Sequence, residues 1–250
     1  MVGYDAGMES STKAVSLGAR YQHLFAGLLR DVEDRALHRE LTAFWPQVGV
    51  DYRPGKGTLF VGQAPNGWGE CQSDGVWFKN GRAPRVEAVR LYSESVVDGD
   101  ECPLAWYERE VGGHFAAVMR RLASGDDDEL WESGWSRSIA WSNLYKVAPR
   151  PRGNPGPALR ALQFEACRAL FAAEIEILRP ARVVVLAGVV WFEGFVQLPK
   201  SKLEVLLADP VSVLGVGHRP RVVLAPHPRT AFGRRITSAG LVRKIKKESP

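Results

Sequence analysis

The feature that most constrains the fold is the apolar run Arg-Val-Val-Val-Leu-Ala-Gly at residues 182–188. Such a run, unbroken by alternating polar residues, is typical of a central parallel strand that is buried on both faces. Three further segments have strand character, at residues 58–61, 139–144 and 221–225. Amphipathic helical patterns separate the strands. The chain therefore predicts an α/β fold, a single-domain three-layer α/β/α structure around a central four-stranded parallel sheet.

The length of 250 residues allows one substantial core, so we expect one domain with insertions. Residues 12–45 have apolar positions at helical spacing and predict one or two amphipathic helices. We expect residues 1–56 to form a helical segment packed on the core, and residues 57–250 to form the α/β domain. An acidic insertion is expected around residues 86–135 of that domain.

Composition and motifs exclude several classes of protein. Hydrophobic content of 45% and charged content of 24% are typical of a soluble globular protein, and no apolar run is long enough to cross a bilayer. The amino end lacks the apolar core of a signal peptide, so we expect a cytoplasmic protein. We also expect the protein to be a monomer. Cys71, Cys102 and Cys167 are widely spaced, and the histidines show no metal-ligand spacing. We therefore expect no disulfide framework, metal or cofactor.

Polar residues follow three of the predicted strands at the point where each strand ends. Gln63 lies in a Gly-Gln-Ala-Pro-Asn loop, Asn143 ends the second strand, and His227 stands between two prolines after the last strand. Because ligands bind outside the carboxyl ends of parallel strands, we expect these three side chains to share one cleft. The alternative is that the loops are ordinary turns, in which Gly, Asn and Pro serve only the backbone geometry.

The charge of the chain is unevenly distributed around a net value of +5. Residues 214–250 carry nine basic residues against one acid, whereas residues 94–132 carry eleven acids against three basic residues. The basic segment contains the His227 loop. A basic rim around a polar site predicts binding of a polyanion, because neutralised phosphates release counterions. The alternative is a solvated basic tail without a partner.

The order of these motifs resembles the uracil-DNA glycosylase superfamily. In that family a strand ends in a Gly-x-x-Pro loop, a second strand ends in an Asn, a Leu-Arg-Pro segment precedes an apolar strand, and a His-Pro-Ser loop closes the site. The counterparts here are residues 62–65, 143–155, 178–188 and 225–229, and the resemblance runs from about residue 57 to 233. It implies the fold of that family, a DNA glycosylase activity, and double- or single-stranded DNA as the partner.

The resemblance also implies roles for individual residues. His227 would donate a hydrogen bond to the departing base, and Asn143 would read the edge of a flipped base that stacks on an aromatic ring. The implied residues are Gln63, Asn66 and His227 for catalysis; Asn143, Trp77, Phe78, Ala64 and Pro65 for base binding; and Lys146, Arg150, Arg152, Arg229, Arg234 and Arg235 for DNA binding.

The chain departs from the family at the carboxylate that activates water. Gln63 and Ala64 occupy the two positions where other members carry it, and the cysteines are too few for the iron–sulfur cluster of thermostable-type members. Gln63 or Asn66 could orient the water without taking its proton. Alternatively, Glu70 or Asp74 in the same loop could supply a carboxylate.

We therefore predict a monofunctional DNA glycosylase that flips out an abnormal or modified pyrimidine and hydrolyses its N-glycosidic bond, leaving an abasic site. Uracil is the family's usual substrate. The long middle segment and the missing carboxylate also allow a modified cytosine, with a role in base-excision repair or in defence against phage with modified DNA. Two other classes compete. One is a catalytically silent nucleic-acid-binding member of the fold, and the other is a small-molecule or nucleotide hydrolase, which would not need the basic carboxyl end.

Overall fold

A computed structural model of the chain describes residues 15–35, 40–66, 75–95, 102, 104–105, 113–124, 134–150, 153–209, 212–217 and 219–249. The helices within these residues are α1 (Gly18–Arg35), α2 (Val86–Glu94), α3 (His114–Ala123), α4 (Pro157–Leu178), α5 (Val189–Phe192), α6 (Lys200–Ala208), α7 (Pro228–Gly233) and α8 (Ser238–Lys247). The strands are β1 (Leu41–Ala43), β2 (Gln47–Val48), β3 (Thr58–Gly62), β4 (Ile139–Asn143), β5 (Val147–Pro149), β6 (Arg182–Leu186), β7 (Leu214–Val216) and β8 (Arg221–Ala225).

The main sheet has the strand order β2-β4-β3-β6-β8-β7. Its centre consists of β4, β3, β6 and β8, each parallel to its neighbour, which confirms the predicted α/β class and its parallel strands. The edge strands β2 and β7 pair antiparallel with β4 and β8 and widen the sheet beyond the predicted four strands. They have two and three residues, too few for an alternating pattern to be recognised in the sequence.

Helices cover the sheet in two layers, as predicted. Helix α1 packs along α4 on one side, and its buried side chains recur at the helical spacing seen in the sequence. Helix α3 packs against α7 and α8 on the other side. The core is continuous from the α1 side chains Tyr21 and Phe25, through the strand residues Phe60 and Val184, to Ile245 of α8.

The amino-terminal segment differs from the prediction in its last part. Helix α1 ends at Arg35, and β1 pairs with β5 in a separate two-stranded sheet, so the expected helical pattern through residue 45 is wrong there. The Phe44 N–H donates to the Lys146 carbonyl at 2.9 Å, and Trp45 packs edge-on against Tyr21. These apolar residues are buried by contacts with distant segments, which override the local helical spacing.

Within the predicted acidic insertion, residues 96–101, 103, 106–112 and 125–133 lie outside the described residues. Cys102 and Cys167 are buried free thiols, whereas Cys71 also lies outside the described part. No helix of the described part combines the length and the apolar character that a membrane span requires.

The parallel strands bring the predicted motifs to one edge of the sheet. Gly62 is the register partner of Asn143 across β3 and β4, and Leu186 is the partner of Ala225 across β6 and β8. The residues that follow these strand ends, His227 among them, therefore emerge along a single edge. This is the position where open parallel sheets bind ligands.

Candidate active site

A close approach between β3 and β4 forms the centre of the candidate site. A Cβ atom added to Gly62 would lie 2.5 Å from Asn143 Oδ1, a distance that would force one of the two to move. Only glycine therefore leaves the Asn143 side chain in its place. The chain beyond Asn143 is tied to the same strand, because the Leu144 N–H donates to the Gly62 carbonyl at 2.9 Å.

The Asn143 side chain is buried and carries an unsatisfied donor. The residue is 2% exposed, and its Nδ2 has no hydrogen-bond partner among the residues that the structure describes. Leaving a buried amide donor unpaired costs roughly 1–3 kcal/mol. A ligand that offers an acceptor to Nδ2 would recover this free energy, which is the behaviour expected of a residue that reads a base edge.

Lys146 contacts Asn143 and is fully buried, with 0% exposure. Its ammonium donates to the Asn143 carbonyl, to Ser142 Oγ at 2.7 Å and to Glu174 Oε1 at 2.7 Å. The prediction that Lys146 contacts the DNA backbone is therefore wrong. The buried carboxylate of Glu174 on α4 draws the ammonium into the core, and the sequence gives no local sign of that partner.

His227 lies two residues after β8 and caps the amino terminus of α7. Its Nδ1 accepts a hydrogen bond from the Arg229 N–H at 3.2 Å, so the neutral ring carries its proton on Nε2. Burial lowers the pKa of His227, and the charges of Arg229 and His114 lower this pKa further. The residue is therefore held as a neutral imidazole with an Nε2–H that can donate to a ligand.

Helix α3 adds aromatic residues that the sequence analysis missed. The Phe115 ring lies 3.4 Å from the position of a Gly62 Cβ, and its centroid lies 6.1 Å from that of His227 at an interplanar angle of 27°. The neighbouring His114 stacks on Phe232, with ring centroids 3.9 Å apart. Phe115 thus links the Asn143 and His227 ends of the site. In the sequence it looks like one more apolar position of a helix, and no local signal separates it from the core.

Gln63 and Asn66 hold two loops together. Gln63 Nε2 donates to the Ala187 carbonyl at 2.8 Å, and Gln63 Oε1 accepts from Asn154 Nδ2 at 2.9 Å. Asn66 Oδ1 accepts from the Gly153 N–H at 2.7 Å. Both predicted catalytic side chains therefore brace the loop after β3 against the loop before α4. Their role in orienting water stays a prediction, and Glu70 and Asp74 lie outside the described residues.

The predicted stacking residues lie on the β1 side of the structure. The Phe78 N–H donates to the Leu41 carbonyl at 2.9 Å, and its side chain is 6% exposed. The Arg150 guanidinium lies 3.3 Å from the centroid of the Trp77 ring, so it covers one face of that ring. Pro65 is buried and Ala64 is half-buried against the core. Base contact by these residues stays a prediction.

The predicted DNA-binding arginines after His227 are exposed. Arg229, Arg234 and Arg235 all lie in or just beyond the short helix α7. Phe232, on the same helix, is 53% exposed although it is a large apolar side chain. The sequence analysis did not select Phe232, but its place five residues after His227 within a basic segment could have suggested it. Arg152 lies outside the described residues.

A cavity of about 340 Å³ adjoins the site, and Gln63 and His227 both line it. Its other walls are mainly apolar and come from the ends of β6 and β8 and from α5 and α6. Among the described residues that line the cavity, none is acidic. The site therefore offers neutral hydrogen-bond donors and an apolar space, within a size typical of small-ligand pockets.

The geometry agrees with the comparison of the sequence with known families. The search among curated proteins found no match. The family model of the Uracil DNA glycosylase superfamily matches residues 51–243, which include the four central strands, Gly62, Asn143 and His227. The chain therefore belongs to the Uracil DNA glycosylase superfamily.

Proposed function

We propose that the protein is a monofunctional DNA glycosylase that removes an abnormal or modified pyrimidine. Membership of the superfamily supports a DNA glycosylase-type function and DNA as the partner. The observation that carries the finer proposal is the unsatisfied Nδ2 donor of Asn143, 2% exposed at the carboxyl edge of the sheet. An extruded base supplies the acceptor that this donor lacks.

The neutral His227 suits the departure of a pyrimidine. The C1′–N1 bond breaks with its electron pair going to the base, so negative charge develops on the base oxygens while the sugar gains oxocarbenium character. His227 Nε2–H stabilises that charge as a hydrogen-bond donor, and water adds to C1′ and releases its proton to the departing base. A preorganised donor of this kind contributes about 10²–10³ in rate.

The exposed rim around His227 supports access to a base within a duplex. Arg229, Arg234 and Arg235 would bind phosphates, or Arg229 would enter the duplex. Phe232 is an exposed apolar ring beside them, and apolar side chains inserted between base steps help to unstack DNA. Uracil is one candidate base. Because an apolar cavity lies beside His227, modified cytosines are candidate bases as well. Uracil as the substrate would indicate a role in base-excision repair, and a modified cytosine a role in antiviral defence.

The test is release of free base from synthetic DNA. The protein is incubated with single- and double-stranded oligonucleotides that carry uracil, hydroxymethylcytosine or its glucosylated form, and released base is measured by mass spectrometry. We expect release of one of these bases, with an abasic site in the DNA. The matched controls are His227→Ala and Asn143→Ala, which we expect to reduce the release by about 10²–10³. Release that persists unchanged in both variants would contradict the proposed site.

A catalytically silent DNA-binding protein is the second candidate. It is favoured by the lack of acidic residues among the described residues that line the cavity, and by the two hydrogen bonds that already engage Gln63. Tight binding of the same oligonucleotides without release of any base, at every enzyme concentration tested, would support this candidate over the glycosylase.

A further inference from the structure

We infer that Lys146 and Glu174 form a buried positioning device that holds Asn143 in the orientation needed to recognise the base. The inference rests on the proposed function, because it gives Asn143 the task of reading the base. It assigns no contact with DNA to Lys146 or Glu174, both of which are 0% exposed.

The hydrogen bonds of Lys146 converge on the end of β4. An ammonium has three N–H donors, and Lys146 directs them to the Asn143 carbonyl, to Ser142 Oγ and to Glu174 Oε1. Two of the three acceptors therefore belong to Asn143 and its neighbour. Lys146 holds the Asn143 backbone through the hydrogen bond to its carbonyl, while the Asn143 side chain packs against Gly62.

Glu174 anchors this arrangement to α4. Its Oε1 accepts from Lys146 at 2.7 Å and from the Tyr21 hydroxyl at 2.6 Å, so the carboxylate joins α1, α4 and the end of β4. Helix α4 also holds the next part of the chain, because Gln163 accepts from the Val147 N–H at 3.0 Å and donates to the Val147 carbonyl at 2.8 Å. The turn after Asn143 is thus fastened to α4 at two points.

A purely stabilising role does not require charged groups at this place. Replacement of a buried ion pair by apolar residues of similar volume is often neutral or stabilising, because the desolvation of two charges offsets their attraction. An apolar pair could fill the same space, but it could not hold the Asn143 carbonyl. The feature that only the charged pair supplies is the hydrogen bond from Lys146 to the residue that carries the unsatisfied donor.

The test removes the pair without leaving a lone buried charge. The double variant Lys146→Met/Glu174→Gln replaces both charges with side chains of similar size, so it should keep a cooperative thermal unfolding transition. We expect its single-turnover release of uracil from a uracil-containing duplex to fall about 10²-fold, the effect of displacing a recognition group by about 1 Å. Its affinity for the same duplex without uracil should stay within a factor of two of the wild type.

Combination with Asn143→Ala separates positioning from a general structural role. If Lys146 acts through Asn143, the Lys146→Met/Glu174→Gln changes should reduce release by less than threefold in a protein that already lacks the Asn143 amide. A further 10²-fold loss in the triple variant would overturn the inference. Tyr21→Phe is the matched control, because it removes one hydrogen bond to Glu174 and leaves those of Lys146 in place; we expect a loss below threefold.

A second readout keeps the inference distinct from the proposed function. If the wild type releases no uracil, the binding preference for the uracil-containing duplex over the unmodified duplex is measured instead. A preference that Lys146→Met/Glu174→Gln and Asn143→Ala abolish equally would support positioning in a silent binder. A preference retained in the double variant but lost in Asn143→Ala would overturn it.

Discussion

Asn143 and His227 stand at the ends of two strands of one sheet, yet the protein holds them in different ways. Asn143 is 2% exposed and is fastened through Lys146 and Glu174 to the helical layer. His227 is half-buried and is oriented by the N–H of Arg229, a residue of its own turn. Around Asn143 the polar groups lie in the core, whereas around His227 the arginines and Phe232 lie in solvent.

Under the proposed function, this difference assigns the two halves of the site different tasks. A buried hydrogen-bond network holds a recognition group in one fixed geometry, although burying its charges costs desolvation free energy. An exposed short helix leaves its side chains free to adapt to the irregular surface of DNA, where phosphate contacts give affinity with little demand on exact geometry. We therefore expect changes near Asn143 to affect base release, and changes near Phe232 to affect the engagement of DNA.

Gly62→Ala on the Asn143 side should reduce base release more than the changes to Phe232 and to the exposed arginines. The added Cβ would lie 2.5 Å from Asn143 Oδ1 and would displace the amide. Base release should fall about 10²-fold, because displacements of about 1 Å have effects of this size. The measurement is single-turnover release at saturating enzyme. Gly27→Ala in α1, where a Cβ meets nothing within 4 Å, is the control and should release base at the wild-type rate. Equal rates in the two variants would disprove the close approach.

Phe232→Ala should reduce release about tenfold from duplex DNA and leave release from single-stranded DNA unchanged. The reason is that an inserted apolar ring offsets the cost of unstacking, which a single strand does not impose to the same extent. The ratio of the two rates is the quantity to measure. Leu91→Ala, which removes another large apolar side chain at 54% exposure, is the control and should not alter the ratio. A parallel loss on both substrates would assign Phe232 to packing.

The neutral state of His227 predicts a falling rate in acid. Burial and nearby positive charges lower its pKa, so the ring should protonate only below its usual range. Protonation removes the Nδ1 acceptor used by the Arg229 N–H, and release should fall about tenfold for each pH unit below that pKa. Because the unfolded chain takes up the proton first, stability should also fall as pH drops from about 6.5 to the folded pKa.

Two measurements test this prediction: a pH–rate profile and a thermal unfolding series, both between about pH 4.5 and 8. The range extends to both sides of the ordinary histidine pKa of about 6.5. The His227→Gln variant, which keeps a neutral amide, is the control and should lose the acid limb of both curves. A rate that increases toward acid would mean that the charged imidazole is the active form.

Arg234→Gln/Arg235→Gln should have the smallest effect on base release. At saturating enzyme the rate should stay within a factor of two, while the salt dependence of DNA binding should weaken by about 0.9 in logarithmic slope for each phosphate that the variant no longer neutralises. The measurement is binding affinity against salt concentration. Lys200→Gln, a cation whose side chain is 90% exposed on α6, is the control and should leave the slope unchanged. An unchanged slope in the double arginine variant would place the DNA elsewhere.

Much of the fold could be predicted because its signals are local. The apolar run of β6 and the amphipathic pattern of α4 are visible within short windows, and both elements are present. The edge strands β2 and β7 were missed because two or three residues carry no period. Strand β1 lies within the range predicted to be helical, because its apolar residues are also compatible with helical spacing.

The residues of the candidate site likewise fall into those that the sequence predicted and those that it did not. Gly62, Asn143 and His227 lie at strand ends, and the parallel sheet alone brings strand ends together. Phe115 was missed because it comes from a helix that is remote in sequence from every strand end. Lys146 was wrongly placed in solvent because a lysine near a loop is ordinarily exposed, and only its buried partner reverses that preference.

The sequence by itself determined the parallel strands, the residues that end them and the basic charge beyond His227, because apolar patterning and chain order act over short distances. Only the tertiary structure decided that the Lys146 ammonium turns inward to Glu174, that Phe115 enters the site, and that Gly62 leaves the space for Asn143. These three features depend on contacts between segments that the chain order does not pair. Their energies arise from burial and hydrogen bonding after the helices have packed on the sheet.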